Sequence, residues 1–401
     1  MRFALSTEQL DFAGELRKIL EAGQVPAAVR AWAAGDPATG RALLRQVADM
    51  GAFGLIVDEK YDGADATPVD LVVALIELGR GAVLGPVIET AAVIPALLQR
   101  LPDSSAAQRW LPALASGDAL GTITFELQRA VALDADIAEP VLMTVDGRLM
   151  LGHRSTDPGA DGSPQLEDSG AAAGASESTR DRNPRAATVG SAAGQTHVRA
   201  APKTEAATSG AGTSGTGTSG AVTSIDPARI LVRVIADELV ADGPGVGAAI
   251  DYAFDVGVLA CAAQLLGAGR AILEQTTGYA KQRKQFGRAI GEFQAVKQQL
   301  ADVLIALDLA EPLLYRAALT LESSDRARDV SAAVVACGDA AHRAARAGLQ
   351  VHGAIGYTAE FDLSLWLTKV AALRTAWGTA DFHRGRIASA LRFATPVAST
   401  N

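Results

Sequence analysis

Hydrophobic residues recur with helical spacing along residues 1–115. The segment STEQLDFAGELRKIL places its large apolar residues about one helical turn apart, behind the candidate N-caps Ser6 and Thr7. The segments GDPATGRALLRQVADMG and TPVDLVVALIELGRG repeat the pattern, and the second opens with Thr67-Pro68, a favourable helix start. The pattern therefore predicts an N-terminal helical domain over residues 1–115.

Short alternating or β-branched runs replace the helical pattern in residues 116–244. ALGTITFEL, EPVLMTVDGRLMLGH and ARILVRVIADELV are candidate strands, and Asp146-Gly147 is a hairpin-turn signal. Residues 156–224 are rich in Gly, Ser, Thr and Ala and nearly lack large apolar side chains. Because such a segment buries too little surface to offset its ordering entropy, we predict a disordered insert within a central β domain.

Long helical runs return in residues 245–401. The segment EFQAVKQQLADVLIALDLAEPLLYRAALTLE carries one apolar stripe, which is typical of an antiparallel helical bundle. The Phe286-Gly287 pair interrupts the pattern and predicts a turn between two helices. The expected fold class is mainly α with a β middle domain, an α+β protein.

Composition narrows the classes of function. The net charge of -9 argues against general nucleic-acid binding, and no run looks apolar and long enough to span a membrane. Cys261 and Cys337 lie in Ala-rich helical surroundings, where buried free thiols are expected. His352 and His383 lack partners at metal-ligand spacing, so no metal site is predicted. With no signal-peptide pattern at the N-terminus, we expect a cytoplasmic protein.

A cluster of cations stands out in this acidic chain. It lies in KQRKQFGRAIGEFQAVKQQLADV and comprises Lys281, Arg283, Lys284, Arg288 and Lys297. Most of these side chains fit a solvated helix end, which is the ordinary interpretation of clustered Lys and Arg. Arg283 stands three residues before Phe286-Gly287, and its interpretation depends on the resemblance described next.

Two long segments give the chain a recognisable resemblance. RKQFGRAIGEFQAVKQQLAD, followed by QVHGAIGYTAEFDLSLWLTKVAALRTAWGTADFHRGRIA, resembles the acyl-CoA dehydrogenase family. MGAFGLIVDEKYDGADATPVDLVVALIELGR and LPALASGDALGTITFEL match it in the same order, so the likeness covers nearly all of residues 1–130 and 245–396. The resemblance implies an N-terminal helical domain, a central β-barrel-like domain and a C-terminal four-helix bundle. It also implies oxidation of an acyl-CoA thioester to the 2,3-enoyl-CoA with FAD as hydride acceptor, in fatty acid or steroid degradation.

The same resemblance implies residues that bind FAD. Arg283 matches an arginine that reaches the FAD pyrophosphate of a neighbouring chain, where a guanidinium can hold phosphate oxygens bidentately. Phe286 matches the residue beside the adenosine half, and Gly353 lies where backbone approaches the adenine end. The full predicted set is Arg283, Phe286, Gln294, Gln350, Gly353 and Ala354.

The match fails where catalysis requires a base. The family takes the α-proton of the thioester with a carboxylate at one of two positions, which are Gly257 and Trp377 in this chain. Asp255 is a weak candidate, because two residues along a helix turn a side chain by about 200°. Glu126 is what remains of an acidic loop in the middle domain. No catalytic residue is therefore assigned.

This combination resembles one chain of the heteromeric acyl-CoA dehydrogenases, including the actinobacterial steroid type. We expect the non-catalytic subunit that completes the FAD site of a related chain, in a heterotetramer that passes electrons to an electron-transfer flavoprotein. One alternative is a self-sufficient homo-oligomer that uses Asp255 or Glu126 as an atypical base. The other is a scaffolding or acyl-CoA-binding subunit without a flavin role.

Overall fold

The computed structural model describes residues 4–126, 130–155 and 221–393. Ser6 and Thr67 each form a capping box, which confirms two helix starts predicted from the sequence. A π-helical segment, Glu89–Val93, leads directly into the fifth helix. The N-terminal helices are α1 (Thr7–Ala22), α2 (Val25–Ala33), α3 (Ala38–Asp49), α4 (Pro68–Arg80), α5 (Ile94–Leu98) and α6 (Ser105–Ala115).

A six-stranded sheet follows in the middle of the chain. Its strands are β1 (Thr122–Thr124), β2 (Val131–Leu133), β3 (Val141–Val145), β4 (Arg148–Arg154), β5 (Ala221–Val222) and β6 (Leu231–Ala241). The order is β1-β3-β4-β6-β2, with β5 also pairing with β6. The end strands β1 and β2 contact each other, so the sheet is nearly closed. Val145 pairs with Arg148, which confirms the hairpin predicted from Asp146-Gly147.

The C-terminal part is a bundle of long helices around one core. Its helices are α7 (Val246–Gln282), α8 (Gln294–Leu319), α9 (Arg326–His352), α10 (Leu363–Ala376) and α11 (Ala380–Phe393). A small ribbon of β7 (Lys284–Gln285) and β8 (Arg288–Ala289) joins α7 to α8. A helical N-terminal part, a nearly closed sheet and this bundle confirm the predicted fold class.

Two expectations need correction. The predicted insert at 156–224 lies outside the described residues except for its last four, and there Ala221–Val222 is a strand paired with β6. By length and composition α7 is apolar enough to cross a membrane, with a mean hydropathy of 1.7, although no run of that kind was predicted. Since 89% of that window is buried within the fold, α7 has the burial of a core helix. Cys261 and Cys337 are buried and free, as predicted.

Helices α4 and α7 cross with their backbones in close contact. A Cβ atom on Gly79 would overlap the backbone of Gln264, and one on Gly267 would overlap the carbonyl oxygen of Ile76. Both helices are continuous at these positions, so neither backbone can move aside without losing helical hydrogen bonds. This crossing fixes the N-terminal helices against the bundle.

We expect Gly267→Ala to destabilise the protein by about 1–3 kcal/mol or more, because the added methyl group overpacks a backbone contact. The matched control is Gly278→Ala in the same helix, where a Cβ atom would meet nothing within 4 Å. Relief of glycine's entropy cost should stabilise that variant by about 0.5–1 kcal/mol. Urea unfolding midpoints measure both, and a Gly267→Ala midpoint at or above the wild-type value would contradict the crossing.

Candidate functional site

The cationic segment forms the tip of the β7–β8 hairpin. Lys284 pairs with Ala289 and Gln285 pairs with Arg288, which leaves Phe286-Gly287 as the two-residue turn. Both turn residues are left-handed, with φ values of 51° and 79°, as the tightest hairpin turns require. A phenylalanine rarely adopts this conformation, and its side chain is 92% exposed. The chain thus holds a strained aromatic residue in solvent, which indicates a role in binding.

Arg283 is held firmly by its backbone while its side chain is exposed. Its N–H donates to the Tyr279 carbonyl at 2.9 Å, and its own carbonyl accepts from the Ile290 N–H at 2.8 Å. Within the described residues, no carboxylate forms an ion pair with any of the five predicted cations, Lys281, Arg283, Lys284, Arg288 and Lys297. Their charge is therefore available to an anion from outside this chain.

The other predicted FAD contacts lie at the same end of the bundle. Gln294 is exposed at the start of α8, next to Phe293, whose ring lies 6.3 Å from that of Phe286. One turn further, Gln299 donates to Gln350 at the end of α9 over 3.0 Å. This hydrogen bond places the end of α9 beside the beginning of α8.

Gly353 gives this end of the bundle an open backbone. Its φ of 67° and ψ of -144° suit glycine alone, and a Cβ atom there would meet nothing within 4 Å. Ala354 beside it is exposed. An unpaired guanidinium, a projecting aromatic ring and accessible backbone fit a diphosphate linked to an adenine, so these residues fit FAD.

The two positions that the family uses for its base meet inside the protein. A Cβ atom on Gly257 in α7 would overlap the indole ring of Trp377, which follows α10. Trp377 is only 3% exposed. The sequence analysis did not predict this contact, because the two residues lie far apart in the chain. The indole ring lies where a side chain at Gly257 would have to be.

Two phenylalanines complete a buried aromatic cluster, defined as Phe125, Phe254 and Trp377. The ring centroids lie 5.6 Å apart for Phe125 and Phe254, 5.7 Å for Phe125 and Trp377, and 6.1 Å for Phe254 and Trp377. All three side chains are buried. Sequence reasoning missed both phenylalanines, although Phe125 stands next to Glu126 and Phe254 next to Asp255. The aromatic cluster fills the space around both base positions.

The remaining carboxylate candidates are directed elsewhere. Asp255 accepts from Arg326 Nε at 2.9 Å and from Arg386 Nη2 at 2.6 Å, so each of its oxygens contacts a guanidinium. To take a proton from a substrate, Asp255 would have to give up one of these charged contacts. Glu126 is exposed, and its backbone N–H donates to Thr144 Oγ1 at 2.9 Å. Asp255 is therefore engaged in ion pairs with two arginines, and Glu126 faces solvent.

His383 fixes the backbone of Trp377. The Trp377 carbonyl lies 2.8 Å from His383 Nε2, and Ser331 Oγ lies 3.2 Å from Nδ1. Since a carbonyl only accepts, Nε2 carries the proton and Nδ1 accepts from Ser331, whose oxygen accepts from Arg386 Nη1 at 3.2 Å. Burial lowers the pKa of His383, which agrees with a neutral ring.

Comparison with known proteins places this architecture in one family. The family models for the acyl-CoA dehydrogenase N-terminal and C-terminal domains match residues 6–118 and 243–392. The chain therefore belongs to the acyl-CoA dehydrogenase family of FAD-dependent oxidoreductases, as the sequence predicted. Acyl-CoA dehydrogenase IpdE2 of Mycobacterium tuberculosis is 28% identical over 346 residues, 86% of this chain and 85% of that relative.

Solved structures share the fold. The ChsE4-ChsE5 complex from Mycobacterium tuberculosis matches with a TM-score of 0.71 at 20% identity, covering 99% of this chain and 100% of that one. The Tcur3481-Tcur3483 steroid ACAD matches with a TM-score of 0.69 at 20% identity, covering 96% and 98%. At this level of identity the likeness concerns the fold.

The neutral state of His383 predicts a pH dependence of stability. Its pKa is lowered in the folded chain, whereas the unfolded chain binds a proton near pH 6.5, so stability should fall as pH drops below about 6.5. His383→Gln keeps a donor and an acceptor without titrating. We expect wild type to lose more unfolding free energy than His383→Gln between about pH 7.5 and 5.5, by at most about 1.4 kcal/mol per pH unit.

His342 and His352, whose pKa values are also lowered, are present in both proteins, so their contribution cancels when the two profiles are compared. Parallel profiles in urea unfolding would contradict the assignment.

Proposed function

We propose that this chain is the non-catalytic subunit of a heteromeric acyl-CoA dehydrogenase, and that it completes the FAD site of a related chain. The observation that carries the proposal is a contrast within one molecule. The residues proposed to meet a neighbour's FAD are exposed, and Arg283 has no carboxylate partner among the described residues, whereas both base positions are filled by the packing of Trp377 on Gly257.

The chain's own residues would bind and orient the dinucleotide. Arg283 supplies a planar cation for the diphosphate, and the strained turn presents the Phe286 ring as a flat apolar surface beside it. Gln294, Gln350 and the open backbone at Gly353 and Ala354 add polar contacts at the adenine end. FAD held there would supply the hydride acceptor for the acyl chain, and the partner would supply the catalytic base.

Related proteins support an assembly of two chains. One matching structure is a complex of ChsE4 with ChsE5, and another is a steroid ACAD named for two chains. We infer a heterotetramer with a related chain, an acyl-CoA substrate and degradation of fatty acids or steroids. An electron-transfer flavoprotein is the proposed acceptor, since a chain of similar fold, with a TM-score of 0.67, occurs in the structure of the electron transferring flavoprotein of Acidaminococcus fermentans.

The two alternatives make different demands on the structure. A self-sufficient homo-oligomer needs a free carboxylate near the substrate, but Asp255 is held by two arginines and Glu126 is exposed. A scaffolding or acyl-CoA-binding subunit without a flavin role gives no reason for the strained, solvent-exposed Phe286 or the unpaired Arg283. The described geometry therefore favours FAD-site completion.

We expect Arg283→Ala to weaken FAD retention in the heteromer by about ten- to a hundredfold, because a charge-assisted contact with the diphosphate is lost. Arg283→Lys should recover only part of it, since an ammonium keeps the charge without the planar fork. Lys284→Ala, an adjacent exposed cation, is the matched control and should retain FAD normally. Flavin absorbance per protein after gel filtration measures all four proteins. Equal retention would show that the cations of the hairpin are only solvated surface charges.

Asp255→Asn separates a structural ion pair from a catalytic base. Because two guanidinium groups lose their partner, we expect a lower unfolding midpoint, with turnover per bound FAD in the heteromer essentially unchanged. Glu126→Gln should change neither quantity. A fall in turnover of about a hundred- to ten-thousandfold with an unchanged midpoint would instead identify Asp255 as a base.

A further inference from the structure

The chain between α9 and α10 forms a short loop whose two ends meet. This segment, which we name the 353–360 loop, leaves α9 directly after His352 and returns at Phe361. The ring centroids of these two flanking residues lie 5.3 Å apart. Gly353 and Ala354, at the start of the loop, are exposed. An aromatic contact therefore closes the base of the loop, while the residues proposed to meet the adenine stay accessible.

Tyr279 of α7 packs against both ends of the loop. Its ring stacks on His352, with centroids 4.2 Å apart and planes at 25°, and meets Phe361 edge-on at 6.5 Å and 71°. Offset stacking and edge-to-face contact are the favoured arrangements of aromatic pairs. We name Tyr279, His352 and Phe361 the three-ring stack.

The imidazole of the three-ring stack is neutral and fixed in orientation. His352 Nδ1 lies 2.8 Å from the Gly348 carbonyl, and since a carbonyl only accepts, Nδ1 carries the proton. Burial lowers the pKa of His352, which agrees with an uncharged ring. The end of α9 is thus joined to α7 by an oriented, apolar contact.

Tyr279 also supports the cationic hairpin through its backbone. Its carbonyl accepts the Arg283 N–H at 2.9 Å, at the residue where α7 ends. A single residue therefore contacts the segment proposed to bind the diphosphate and, through its ring, the loop proposed to meet the adenine. Because one ribose separates these two groups in a dinucleotide, their contacts on the protein need a fixed spacing.

A second contact holds the far end of the loop more weakly. Arg30 of α2 donates to the Asp362 carboxylate at 2.6 Å and to the Ala359 carbonyl at 3.3 Å. The side chains of Arg30 and Asp362 are 38% and 54% exposed, and exposed ion pairs contribute little to stability. His352 is only 6% exposed. The three-ring stack is consequently the stronger constraint on the loop.

We propose that Tyr279 is a positioning residue for FAD, whose ring holds the 353–360 loop at the distance from Arg283 that one dinucleotide requires. This proposal rests on the proposed function. Tyr279 acts through His352, Phe361 and the Arg283 backbone, so it needs no contact of its own with the flavin. A loop already held in its binding conformation loses less entropy when the ligand binds, which raises affinity.

The test compares FAD with FMN, which has the flavin ring and one phosphate but no adenine. The protein is the heteromer with an acyl-CoA dehydrogenase-family chain of the same organism that keeps glutamate at one of the two base positions. After removal of the flavin, each ligand is titrated by fluorescence. Tyr279→Leu keeps apolar bulk without a flat ring, and it should weaken FAD binding about tenfold with FMN binding unchanged. Tyr279→Phe keeps the ring and should bind both ligands like wild type.

Two further variants separate positioning from general support of the fold. Phe361→Leu releases the other end of the loop without altering α7, and it should show the same selective loss of FAD. Tyr315→Leu removes a ring of α8 that is also 6% exposed, and it should leave the ratio of FAD to FMN affinity at the wild-type value. Equal losses of FAD and FMN in Tyr279→Leu and Phe361→Leu would show a merely structural role and overturn the proposal.

The Arg283 variants distinguish failure of this proposal from failure of the proposed function. If Arg283→Ala loses FAD while Tyr279→Leu and Phe361→Leu keep the wild-type ratio of affinities, the positioning role is wrong and FAD-site completion stands. If Arg283→Ala retains full FAD, FAD-site completion fails, and the positioning role fails with it.

Discussion

The contact between the Trp377 indole and Gly257 occupies both positions where the family can carry its base. The ring needs the absence of a side chain on α7, and it is further held by Phe125, Phe254 and the hydrogen bond from His383 to the Trp377 carbonyl. A side chain at Gly257 would displace the ring, and a smaller residue at Trp377 would leave a cavity. The two positions where the family can carry a base are therefore linked by packing.

A different constraint operates at the hairpin end of the bundle. Packing contributes little there, since Phe286 projects into solvent and Arg283 has no carboxylate partner among the described residues. The left-handed conformation of Phe286 is energetically unfavourable, and the contacts at the hairpin end offset little of that conformational energy. Binding to a flavin carried by another chain would explain why this strained turn is kept.

The sequence predicted whatever depends on local pattern. Apolar periodicity and the capping residues Ser6 and Thr67 indicated helices, and Asp146-Gly147 indicated the hairpin. The aromatic cluster could not be predicted, because it depends on contacts between residues more than a hundred positions apart in the chain. The ion pairs of Asp255 could not be predicted for the same reason, since Arg326 and Arg386 reach it from other helices.

Flavin stoichiometry in the purified assembly tests the central claim most directly. The measurement combines flavin absorbance with quantified amounts of the two chains, and it repeats the assay on this chain expressed alone. If this chain completes a partner's site and holds no flavin of its own, the heteromer should contain half as many flavins as chains, and the isolated chain almost none. One flavin for every chain, or stoichiometric flavin in this chain alone, would contradict the claim.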